Sequence, residues 1–181
     1  MAGYTTEGII LKRINFGEAD KILTLFSKHF GKIHLLAKGI RKTKSRKGGN
    51  LELFNWVKIF AAKGRNLDLV TEVEVIKSFQ NWRKDLNRVA LAYHFVELVD
   101  RLTAEEAKNR EAFQLLVDSL EKLGADIDLE DLRDEFERKL LEELGFWPRD
   151  KSTDKFDLNA YIEKLIEKRL NSRRVFKEIN G

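Results

Sequence analysis

Between Lys38 and Lys47 the chain carries six cations, Lys38, Arg41, Lys42, Lys44, Arg46 and Lys47, and no acidic side chain. Gly39, Gly48 and Gly49 punctuate the same stretch, which runs on to Asn50. A cationic loop with small residues can follow an irregular phosphate backbone, drawing its affinity from charge neutralisation and counterion release without any choice of base. Lys21, Lys32, His34 and Arg65 lie in the surrounding sequence and strengthen that expectation. The bland alternative for such a run is a solvated surface loop. A nucleotide-phosphate cradle is a third arrangement, but the segment lacks the Gly, four residues, Gly-Lys-Ser/Thr pattern and no helical periodicity follows it.

Chemistry of bond making has little to work with. The three histidines, His29, His34 and His94, are scattered, and none has a metal-ligand pattern beside carboxylates or a serine elbow. Glu18 and Asp20 lie close together, as turn residues and surface charge commonly do. Cysteine is absent, which excludes disulfides, thiolate zinc sites and cysteine nucleophiles. The reading is therefore of a binding protein, not an enzyme, with no catalytic residue, no metal and no cofactor. Of the first-half aromatics Tyr4, Phe16, Phe26, Phe30, Phe54, Trp56, Phe60 and Phe79, most are expected inside a small barrel. Phe16 and Phe30 sit at turns and are the pair expected to be exposed.

The elements that would position these residues are legible. Tyr4 to Ile14, Asp20 to Lys28, Ile33 to Ala37, Leu51 to Ala61 and Leu67 to Lys77 read as five strands, with turns at Asn15-Phe16-Gly17-Glu18, Gly31 and Gly64-Arg65-Asn66. Five short strands without intervening helices predict a small closed barrel or sandwich. After Gln80 the period becomes helical: Leu86, Val89, Ala90, Tyr93 and Val96 form one stripe, with Asn81 upstream as its cap. Thr103-Ala104-Glu105-Glu106 reads as a capping box opening a helix that runs to Gly124. Asp128 opens a third helix, with Leu132, Phe136, Leu140 and Leu144 on one face and Gly145 at its end. A fourth covers Leu158 to about Leu170, and a last turn follows Ser172. The fold class is α+β, with a barrel domain over residues 1–80 and an all-α domain over 81–181.

Charge divides along the same line. Residues 1–80 hold 15 Lys/Arg against 7 Asp/Glu, net +8, whereas 81–157 hold 13 against 20, net −7, and 158–181 are net +3. The first half is expected to meet a polyanion and the middle to meet something else. No apolar run approaches the roughly 18 residues of a membrane-spanning helix, and the opening residues carry no basic and apolar signal pattern. A cytoplasmic, nucleoid-associated protein is the expectation.

Several segments together resemble the RecO family. They are Thr6-Glu7-Gly8-Ile9-Ile10-Leu11-Lys12, the run from Gly17-Glu18-Ala19-Asp20 to Phe26, Gly31-Lys32-Ile33 onward to Lys42, and Ser45 to Leu51. Phe136-Glu137 with Leu140-Leu141 and Leu144-Gly145, and finally Leu170 to Phe176, are similar to the family's helical signature and its C-terminal motif. The resemblance implies an OB-fold domain that binds single- and double-stranded DNA and anneals complementary strands. It implies a helical domain that docks the acidic C-terminal tail of single-stranded-DNA-binding protein, with RecR as partner and RecA loading as outcome. Matching the family's basic barrel positions puts DNA contact on Lys21, Lys32, Lys38, Arg41, Lys42, Lys44, Arg46 and Lys47. The cations near the helical signature do not align with the family's pattern, and the tail carboxylate is expected to seek one such as Arg133 or Arg138. Many members carry a four-cysteine zinc module after the stretch corresponding to Pro148, which a chain without cysteine cannot build. An OB-fold RNA- or ribosome-binding module with a helical protein-docking domain is the competing reading.

Overall fold

The computed structural model describes residues 2–41, 48–151 and 156–167. It divides into two compact units, one of Met1–Ser78 with Ala104–Phe113, the other of Phe79–Thr103 with Gln114–Gly181.

The first unit is built on five strands: β1 (Gly3–Phe16), β2 (Asp20–Ser27), β3 (Gly31–Ala37), β4 (Trp56–Ala62) and β5 (Asp68–Lys77). They close into a barrel in the order β1-β2-β3-β5-β4, antiparallel except for the short parallel β3–β5 contact at Leu35 and Leu36. This is an OB-like barrel, and its strand order follows from hairpins between sequence neighbours plus one long crossover. Period-two alternation sends Leu23, Leu25, Ile33, Leu35, Val57 and Ile59 inward, where they form the core with Ile10, Ile40, Leu51 and Val70.

Two irregularities set which side chains face inward. Register shifts between Ile10 and Lys12, so Ile10 and Arg13 take the inward side while Lys12 turns out. Phe60 pairs with Glu72 and Ala61 with Val70, which leaves Thr71 extra and brings Val70, Val73 and Val75 to one side. The fourth strand begins at Trp56, not at Leu51 as the apolar run suggested. Residues Leu51 to Asn55 are turn, with Phe54 in the left-handed region at φ 70° and its ring buried. Tertiary burial there outweighs strand propensity.

Residues 104–109 differ from expectation as well. Thr103 caps no helix start; it ends the preceding one, its hydroxyl donating to the Val99 carbonyl at 2.6 Å. Glu106 adopts φ 56°, outside any helix, and its N–H donates to the Lys32 carbonyl at 3.0 Å, so the segment lies along the β3 edge. The next helix, α2 below, is capped by Asn109, whose Oδ1 accepts from Ala112 N at 2.8 Å. Phe113 packs on the outer side of the barrel, its ring 6.3 Å from Phe26 and 6.1 Å from Trp56.

The helices are α1 (Leu86–Leu102), α2 (Arg110–Lys122, shared between the units), α3 (Leu129–Glu143) and α4 (Leu158–Ile166). Asp85, not Asn81, caps α1, accepting from the N–H groups of Asn87 and Arg88. Of the expected stripe Ala90 and Val96 are buried but Leu86 and Tyr93 are exposed, and burial extends to Leu91, Ala92, His94, Phe95, Leu98 and Val99. Asp128 caps α3 at 2.8 and 3.0 Å from Glu130 N and Asp131 N. Gly145 at φ 79° ends it, with Phe146 N bonded to Leu141 O and Gly145 N to Glu142 O. Helix α2 ends at Lys122, with Gly124 just beyond it as expected, and Gly124 also leaves room for the Asn81 amide where a Cβ would clash.

Trp82 is buried with its indole N–H donating to Leu120 O at 2.8 Å, and the tilted rings of Phe95 and Phe136 lie 4.2 Å apart. Between α1 and α3, His94 Nε2 lies 2.6 Å from Glu137 Oε1, both side chains almost wholly buried.

Candidate nucleic-acid interface

The cation-rich stretch begins and ends on anchored backbone. At its start, Gly39 N donates to Asp20 Oδ1 at 2.7 Å and Arg41 N to Ala19 O at 2.9 Å, while Arg41 Nη1 reaches Gly17 O at 3.3 Å. Gly17 makes the β1–β2 turn in the left-handed region at φ 55°, a conformation costly for other residues. The turn is thereby tied to the first residues of the loop, and Ile40 is pulled into the barrel core.

At the loop's end Asn55 Nδ2 donates to Asn50 O at 3.0 Å, and Leu51 is fully buried. Arg13 holds the same foot, donating to Leu51 O at 3.1 Å and pairing with Glu52 at 2.8 Å. Lys42, Lys44, Arg46 and Lys47 lie outside the described residues.

Of the expected contacts that are described, Lys38 and Arg41 are exposed beside this turn, and Lys21, half-buried, sits on β2 opposite Asn15 and Ala37 at the same end of the barrel. These three lie with the first foot of the loop beside the β1–β2 turn. Lys12, which the sequence reading did not single out, is exposed on β1 because of the bulge before it. Lys32 lies at the opposite end of its strand. It is 7% exposed, its Nζ 3.3 Å from Glu105 Oε1, and His34 Nε2 meets the same carboxylate at 3.1 Å.

Around that far end, Tyr4, Phe30, Lys32, His34, Lys63 and Asp68 line an open cleft of about 710 Å³. Burial, then a hydrogen bond to Asp68, pushes the Tyr4 hydroxyl above its ordinary range. Burial would raise Asp68 too, but hydrogen bonds from Lys63, Gly64 N–H and Tyr4 outweigh it and hold the carboxyl low. The charges in this cleft are largely spent on one another.

In the helical unit, Arg133 pairs with Asp134 at 3.0 Å and Arg138 with Glu142 at 2.8 Å, so an incoming carboxylate would have to compete with neighbours on the same helix. Glu135 bridges Lys139 and Lys122, and the Lys139 hydrogen bond chiefly holds its carboxyl below the usual range. Among the described residues no group of three or more His, Asp or Glu is placed to hold a metal ion, and no helix is long and apolar enough to cross a membrane.

Residues 1–79 match the family described as Recombination protein O N terminal, and residues 83–152 match Recombination protein O C terminal. DNA repair protein RecO of Roseiflexus sp. is 43% identical over 148 residues, covering 81% of this chain and 51% of the relative. The RecO proteins of Symbiobacterium thermophilum and Dehalococcoides mccartyi are 40% and 39% identical, with 59% and 57% of their lengths covered. The chain thus spans a little over half the length of the curated relatives it matches. With both halves of the chain matched in order, and an OB-like barrel followed by helices, the chain belongs to the RecO family.

Proposed function

We propose that this chain is a DNA-binding recombination mediator that acts without catalysis. Its barrel binds single- and double-stranded DNA and anneals complementary strands, through phosphate contacts by Lys21, Lys38 and Arg41 together with Lys42, Lys44, Arg46 and Lys47. The observation that supports this most is the anchoring of the cation-rich loop, its first foot bonded to the β1–β2 turn and its second held by Arg13 of β1, which sets Lys21, Lys38 and Arg41 beside that turn. Lys32 stands outside the interface we propose, since its ammonium is buried against Glu105. Phosphate contact supplies affinity and position but no base information, which suits a protein that must act on any sequence.

The net-negative helical unit repels DNA and is the proposed platform for proteins. Its partners would be the acidic tail of single-stranded-DNA-binding protein, meeting Arg133 or Arg138, and RecR, with RecA loading in the cytoplasm as the outcome. Support for these partners comes from family membership. The test is annealing of complementary oligonucleotides, bare and coated with single-stranded-DNA-binding protein, without ATP. Acceleration in both settings is expected. A chain that binds structured RNA tightly and accelerates no DNA annealing refutes the proposal.

A further inference from the structure

The outward side of the first three strands carries an apolar strip that the barrel core does not use. Past the bulge, β1 turns Lys12, Ile14 and Phe16 outward; pairing sets Ile22 of β2 beside Ile14, and Leu36 of β3 beside Ile22. Ile14 is 48% and Phe16 51% exposed, while Ile22 and Leu36 are half-buried. Farther along the same side, the outward residues Ile9 and Phe26 are wholly buried, with Phe113 against Phe26. The strip lies beyond that cover. A ring left half in water at a hairpin tip forgoes much of the burial that would stabilise the fold.

Charge identifies the occupant. Lys12 shares the face, Lys21 and Lys38 lie near the same turn, and Arg41 bonds the carbonyl of Gly17, the residue next to Phe16. Asp20, paired with Phe16 across the hairpin, accepts the Gly39 N–H, so its charge is engaged locally. Glu18 is exposed at the turn and is the opposing charge. An apolar strip bordered by cations complements a polyanion with apolar flat faces, and an unpaired nucleic-acid strand has both.

We propose that Phe16, flanked by Ile14, Ile22 and Leu36, is a stacking platform for the unpaired bases of a single strand. The inference rests on the DNA-binding reading above and adds a preference for single strands, since a duplex keeps its bases stacked inside. Phosphates held by Lys21, Lys38 and Arg41 bring the strand to this face, and the ring takes a base without choosing among the four.

The experiment compares the full chain with Phe16→Ala on three fluorescent ligands of equal length: oligo(dT), an abasic oligomer and a duplex. Phe16→Ala is expected to weaken oligo(dT) binding by about 5- to 150-fold, the loss of one base–aromatic stack. Affinity for the other two ligands, and the salt dependence on oligo(dT), are expected to stay nearly unchanged. Phe16→Tyr, which keeps the ring, should retain oligo(dT) binding; Phe16→Leu, which keeps apolar bulk without a flat ring, should show a loss confined to oligo(dT) and carries the test if the alanine form does not fold, its unchanged affinity overturning the proposal in the same way. Unchanged oligo(dT) affinity in Phe16→Ala overturns the proposal and leaves the strip to a protein partner. Equal losses on oligo(dT) and the abasic oligomer overturn it too, because the contact is then not to bases. An unsubstituted chain that binds none of the three refutes the DNA-binding reading itself.

Discussion

Replacing Lys21, Lys38 and Arg41 together with alanine separates phosphate binding from barrel stability. If all three contact phosphates of a single strand, the slope of log K against log salt should shrink by about 2 units, at about 0.7 per contact. Between 50 and 200 mM salt, the unsubstituted chain should then lose roughly twenty-fold more affinity than the triple variant. The fold should tolerate the change. Lys38 is exposed, and Arg41 gives up only its side-chain bond to Gly17 O, worth about 1 kcal/mol, while its backbone bond to Ala19 O remains. Lys32→Ala is the control with the opposite signature. It should leave the salt slope unaltered yet lower stability by about 1–2 kcal/mol, because a buried stem and its contact with Glu105 are lost. The assay is a salt titration of fluorescent oligonucleotide binding beside a urea melt of each variant. A folded triple variant with an unchanged slope would move the phosphate site elsewhere on the barrel. A slope that falls in Lys32→Ala would return that residue to the interface.

Other perturbations address the scaffold. His94→Ala removes the buried 2.6 Å contact with Glu137 and should cost about 3 kcal/mol in urea unfolding; a loss under about 1 kcal/mol would mean the pair is structurally idle. Gly31→Ala puts a Cβ 2.4 Å from the Ala107 carbonyl at φ 69° and should cost at least about 1 kcal/mol, seen as a lower thermal midpoint. The Glu135 carboxyl is depressed in the folded chain, so its contribution is present above its ordinary value of 4.5 and lost as pH falls through the lower folded value. Glu135→Gln should therefore lower stability near neutrality by no more than about 1 kcal/mol, given its partial exposure, and by less in acid. A deficit that grows as pH falls would contradict that sign. Glu18→Gln should strengthen oligonucleotide binding modestly, and weaker binding would show the carboxylate to be structural.

Sequence by itself determined what depends on near neighbours. Runs rich in β-forming residues between turn signals named the strands, and the turn glycines at 17 and 31 marked hairpins, because strand propensity and φ > 0 are local demands, whereas the inward faces were left open. Asp128 and Gly145 announced both ends of α3, and the exposure of Phe16 and Phe30 followed from their places beside turns. The cationic run was equally plain. Tertiary structure decided what depends on distant partners. Thr103-Ala104-Glu105-Glu106 satisfies the local rule for a helix start, yet the open β3 edge offered Lys32 O to Glu106 N, and the segment became barrel. That same pairing buried Lys32, which by residue type and position in the chain resembled the DNA-contacting lysines. The bulges that turn Lys12 outward and bring Val70, Val73 and Val75 to one side exist only once β1 and β5 meet their neighbours. Propensity and alternation act over a few residues, whereas register, edge pairing and charge partnership arise from closure of the barrel, and these set which cations remain for a ligand.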